Sequence, residues 1–104
     1  MIYLVIQGEL KDGAEAIYEQ YLQAVAPLMK EFQVEIVAVG AGLKSEYTNE
    51  IFPVNAVLRL PDEATLERFL GDARYLEIKV KFRDAAYEHL RLSAFGGRDP
   101  RVFD

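Results

Sequence analysis

The chain has 104 residues, of which 51% are hydrophobic and 28% charged, and its net charge is −5. That describes one globular domain able to bury roughly two-thirds of its unfolded surface, and it excludes a disordered chain or one basic enough to follow the phosphate backbone of a nucleic acid. There is no cysteine, which excludes disulfides and thiolate metal sites. No stretch is long enough to cross a membrane, and the opening apolar run is too short for a signal peptide, so a soluble cytoplasmic protein is expected.

Ile2 to Leu10 is apolar at nearly every position until Gln7, as in a strand covered on both faces. Asp12 and Gly13 break it, and Asp12 is placed to cap a helix. From Ala14 the period changes. Ile17, Tyr18, Tyr21, Leu22, Val25, Leu28, Met29 and Phe32 recur at three- and four-residue spacing, one stripe of an amphipathic helix. Pro27 falls late in it, removes a backbone donor, and should bend the last turns or start a new one.

Val34 to Val39 is rich in β-branched residues and reads as a second strand. Gly40-Ala41-Gly42 then suggests a bulge, or a backbone that must approach something closely. Lys44 to Glu50 is polar and forms a long hairpin loop. Ile51 to Leu60 is the third strand, with Pro53 near its start, where a missing donor is tolerated. Pro61 ends it, Asp62 caps the next helix, and Leu66, Phe69 and Leu70 point inward. Gly71-Asp72 stops that helix. A second helical piece from Ala73 carries Tyr75, Ile78, Phe82 and Ala86 on one face. Glu88 to Ala94 alternates as a fourth strand, and a tail follows from Phe95.

This β-α-β-β-α-β order predicts an α+β fold: one domain, an antiparallel four-stranded sheet, both helices on one face. Leu58, Leu60, Ala56, Leu90, Leu92 and Ala94 suit the helix side. Asn55, Val57 and Arg59, His89, Arg91 and Ser93, Tyr3, Val5 and Gln7, and Glu35, Val37 and Val39 are assigned to the other. That second face is half apolar, and an apolar face of this extent is costly to leave in water. A homodimer with its two sheets facing each other would cover it.

The order resembles the dimeric α/β-barrel superfamily, in which two ferredoxin-like protomers pack sheet to sheet. Within it the chain looks most like a family described only as a domain of unknown function (number thirteen-thirty). The resemblance rests on Tyr18, Tyr21 and Ala26-Pro27-Leu28 in the first helix, on Gly40-Ala41-Gly42, on Leu60-Pro61-Asp62 and Phe69, and on Arg74-Tyr75-Leu76-Glu77-Ile78-Lys79 with Arg83 after it. It covers roughly residues 2 to 93. The segment from Arg59 to Leu70 is leaner and less aromatic than the family pattern. The resemblance implies a dimeric barrel and no established activity.

His89 is the only histidine and the candidate catalytic acid or base, since its side chain alone titrates near neutrality unperturbed. The bland reading is a satisfied interface or core histidine. Arg59 and Arg91, with Asn55, are candidate ligand-binding residues able to clamp a carboxylate or phosphate; the opposing reading pairs the arginines with Glu35 or Glu88. Tyr18, Tyr21 and Tyr75 suit core packing, with hydroxyls that could reach a cleft between helix and sheet. The single histidine rules out a zinc site, and nothing calls for a cofactor. Haem-degrading members of the superfamily take an axial histidine from a helix, whereas His89 is predicted on a strand.

Three functions follow as expectations. The first is a protein that binds or acts on a small anionic or oxygenated metabolite in a pocket between helices and sheet. The second, by analogy alone, is a cofactor-free monooxygenase or isomerase. The third is a non-catalytic structural or interaction module.

Overall fold

A computed structural model of the chain describes residues 1–46 and 48–97, so the tail beyond Gly97 lies outside the described residues. The elements are β1 (Ile2–Leu10), α1 (Glu15–Glu31), β2 (Glu35–Gly40), β3 (Val54–Leu60), α2 (Glu63–Gly71), α3 (Ala73–Ile78), a π-helical turn (Lys79–Arg83), α4 (Asp84–Ala86) and β4 (Tyr87–Gly96). The sheet runs β2-β3-β1-β4 and every pairing is antiparallel. The Cα envelope measures 45 × 35 × 16 Å, two layers thick, with one sheet face left bare.

Helix ends follow local chemistry. The first helix starts at Ala14 rather than at an Asp12 cap, after Gly13 turns the chain with φ +74°. It also runs through Pro27 without interruption, because Pro27 and Gln23, whose carbonyl loses its partner, are both exposed to solvent. Gln33 takes φ +58° behind it; its N–H and that of Val34 return to Lys30 and Met29, closing the C-terminus in a Schellman motif. Asp62 caps α2 by accepting from the Thr65 N–H, and Asp72 caps α3 by accepting from the Arg74 N–H. The third strand begins at Val54, three residues later than expected; residues 51–53 precede the ladder.

The register fixes which side chains share a face. Leu4 lies opposite Leu58 and Ala94, and Ile6 opposite Ala56 and Leu92. Of these, Leu4, Leu58 and Ile6 meet Val25 and Leu28 of α1 and Leu66 and Phe69 of α2, with Leu60 fully buried, whereas Leu92 and Ala94 of β4, expected on the covered side, stay exposed. The other face carries Tyr3, Val5, Gln7, Asn55, Val57, Arg59, Arg91 and Ser93. One assignment is overturned. The ladder slips between Ile36 and Ala38, so Ala38 rather than Val37 pairs with Val57, and Val39 pairs with Ala56. Val37 is the extra residue of a β-bulge, and Val39 therefore turns to the helix side. The expected close approach of the glycine segment occurs at Gly42, whose N–H bonds the Phe52 carbonyl and where a Cβ would stand 2.5 Å from that oxygen.

Candidate functional site

Between the helix layer and the sheet lies a cavity of about 110 Å³. Its sheet side is aliphatic, from Leu4, Ile6, Ala56 and Leu92, and its helix side is aromatic, from Tyr18 and Tyr21 of α1 and Tyr75 of α3. Tyr87 closes the far end. Its ring stands edge-on to Tyr18 with centroids 5.7 Å apart, and Tyr18 lies 6.3 Å from Tyr21 at 28°. A glycine makes room for it: a Cβ on Gly8 would meet Tyr87 Cε1 at 2.7 Å and the His89 carbonyl at 2.8 Å.

Arg83 is the one charged residue lining this cavity among the described residues. Its side chain is 11% exposed. Nη1 donates to the Tyr75 hydroxyl at 2.7 Å, the guanidinium stands 5.9 Å from the Tyr75 ring centroid, and Nε meets Asp84 Oδ1 at 3.3 Å. The π-helical turn ends at Arg83 and so sets the direction of its side chain. Such single wide turns are rare and recur at functional sites.

The phenols are electrostatically distinct from free tyrosine. Burial pushes the Tyr21 hydroxyl well above its ordinary value, with Tyr75 adding to the effect. Burial likewise raises Tyr87, and Tyr18 reinforces it. Both are neutral hydrogen-bond donors at physiological pH and poor bases. With no carboxylate or imidazole among the described lining residues, the cavity offers one fixed cation and several neutral donors in apolar surroundings. It can hold an oxygen that carries or develops negative charge, but it supplies no strong proton acceptor.

The sheet divides the residues singled out in the sequence. Tyr18 and Tyr21 line the cavity. Arg59, Arg91, Asn55 and His89 lie on the opposite face. Arg59 is ion-paired with Glu35, which raises its pKa; Glu35 is exposed, while Arg59 is 39% exposed with Nε buried and unpartnered among the described residues. Arg91 meets Glu50 at 3.3 Å and stacks over Phe52 at 5.3 Å; Asn55 donates to the Phe52 carbonyl at 2.7 Å and to that of Gly40 at 3.3 Å. These last two fasten the segment before β3 to the end of the sheet. His89 is exposed on β4, in an open groove with Glu9, Glu50 and Arg91. Two cavity residues escaped the site reading, Arg83 and Tyr87. Arg83 entered only as part of a family pattern, and Tyr87 directly precedes the predicted start of β4.

A model of the family described as "Domain of unknown function (DUF1330)" matches residues 1–94. None of the curated proteins matches the chain. Among solved structures, a protein of unknown function from Rhodopseudomonas palustris superposes with TM-score 0.82 at 20% identity, covering 95% of this chain and 83% of that one. A protein from Jannaschia sp. CCS1, described as dimeric, ferredoxin-like and of unknown function, gives TM-score 0.70 at 13% identity over 92% and 98%. One from Bacteroides fragilis, described as dimeric with a ferredoxin-like fold, gives 0.61 at 9% over 92% and 95%. The fold is accordingly ferredoxin-like α+β. No helix among the described residues is long and apolar enough to cross a membrane.

Proposed function

Because the chain belongs to the DUF1330 family, whose description carries no activity, we propose a function from the cavity itself: each protomer binds a small oxygenated or anionic molecule between its helices and its sheet. The observation that carries this reading is the Arg83 guanidinium, nearly buried in an aromatic and aliphatic pocket. A buried charge without a full counter-charge is costly, and Asp84, half exposed on the outer side, offsets it only in part. A ligand oxygen would complete the arrangement. The binding reading is preferred to the monooxygenase or isomerase because both of those begin with proton removal, for which this cavity holds no good base.

The protomer functions as a homodimer. The bare face sets Val5, Val57 and Ala38 among polar neighbours, the composition of an interface core with a polar rim. The Jannaschia and Bacteroides proteins, which share the fold, are described as dimeric. Light scattering should give twice the 11.8 kDa chain mass; a monomer at micromolar concentration defeats this part.

For the cavity, thermal melts with a panel of small carboxylates, phenols and neutral alcohols should find at least one that raises the melting temperature. The rise should vanish in Ala56→Phe, whose ring fills the space. A rise that survives Ala56→Phe places the ligand elsewhere and ends the assignment.

A further inference from the structure

We infer that the ligand is a monoanion built on a single ring, an arenecarboxylate or a phenolate, with its charged oxygen on Arg83 and its ring among Tyr18, Tyr21 and Tyr87. This rests on the cavity being a binding site at all, and it adds the ligand's size, shape and charge.

Size comes from the volume. About 110 Å³ is close to the engineered apolar cavities, roughly 150 Å³, that accept benzene, and is too small for a fused polycycle or a nucleotide. Shape comes from the walls. Tyr18 and Tyr21 present ring faces 28° from parallel, while Tyr87 stands at 84° to Tyr18. A flat aromatic guest joins this stacked and edge-on cluster through the same favoured contacts.

Charge comes from the count and placement of polar groups. Arg83 spends Nη1 on Tyr75 and Nε on Asp84; Nη2 has no hydrogen-bond partner among the described residues. One guanidinium edge therefore serves one anionic group. The remaining walls are hydrocarbon and neutral phenol, so a second negative charge would be buried unpaired. A neutral guest would leave the arginine with only the half-exposed Asp84 as counter-charge.

The test uses the full chain and three probes: benzoate and benzamide, which match in size, and phthalate, larger by a second carboxylate. By calorimetry benzoate should bind about tenfold or more tightly than benzamide, the ratio a charge-assisted hydrogen bond supplies. Phthalate should bind more weakly than benzoate. In Arg83→Met, which keeps the length and apolar stem, the benzoate advantage should collapse to within about threefold, whereas Arg83→Lys should keep part of it. The comparison of probes on the unaltered protein stands even if a variant fails to fold. Benzamide equal to benzoate, with both lost in Ala56→Phe, overturns the charge assignment and leaves the cavity as a binding site. Phthalate equal to benzoate overturns the single-charge claim. No binding of any ring compound overturns the inference, and if the wider panel also fails, the cavity reading falls with it.

Discussion

On the open face of the sheet Arg59 and Arg91 pair with Glu35 and Glu50 and are 39% and 58% exposed, whereas behind the sheet Arg83 is 11% exposed and held by the Tyr75 hydroxyl and Asp84. The side chain is the same and the consequence differs. In water a guanidinium–carboxylate pair is screened and contributes little. In an apolar pocket the same cation is a strong, directional demand for an oxygen. Charge alone therefore does not mark a site; withdrawal of the whole guanidinium into an apolar cavity does.

The contrast between faces can be broken at several points, the largest first. Leu60→Ala, on the covered face and fully buried, should cost about 2–5 kcal/mol in urea unfolding. Val57→Ala, on the bare face one strand position from Leu58, should cost under about 1 kcal/mol in the isolated protomer. Equal losses would mean the faces are not energetically distinct. Next, Gly8→Ala should cost about 1–3 kcal/mol, since the new methyl collides with Tyr87 and a carbonyl; Gly40→Ala meets nothing within 4 Å and should be nearly silent. A tyrosine fluorescence change in Gly8→Ala alone would tie the collision to the cavity.

Arginine removal comes third. Arg83→Ala should lower stability by about 1–3 kcal/mol, through lost stem packing and the stranded Tyr75 hydroxyl. Arg59→Ala should leave the melting temperature within experimental error, and a large drop there would erase the distinction between the two arginines. The smallest effect concerns pH. Asp72 is held below the usual carboxylate range by the Arg74 side chain and then the Arg74 N–H. A depressed folded-state pKa contributes stability that is complete above the unfolded value, about 3.9, and is lost as pH falls through the folded one. The gap in melting temperature between the wild-type protein and Asp72→Asn should therefore be widest near neutrality and close toward pH 2. A gap independent of pH would show that the cap geometry, not the charge, matters.

The element order was legible because each strand and helix carries its own period, and the covered face because Leu58 and Leu60 alternate into it, whereas Leu90 and Leu92 alternate equally well and stay outside the buried core. Features that depend on pairing or on a local change of helix pitch were not. Val37 becomes a bulge with no glycine or proline to announce it, since the slip is set by the partner strand, and it carries Val39 to the other side. Asn55 and Arg91 look like free polar groups on alternating strands, yet they hold the segment at Phe52, which no periodicity places. The cavity was half legible: Tyr18 and Tyr21 lie on the apolar stripe of α1, while Arg83 is aimed by the turn it ends.

That turn makes the polarity of the cavity a property of chain length. A π-helical turn closes its hydrogen bond over one more residue than an α-helical turn does. Deleting Lys81 would restore α-helical spacing and re-aim the guanidinium at the end of the turn. The direction of the cavity's charge is thus set by the number of residues in this turn as much as by their identity.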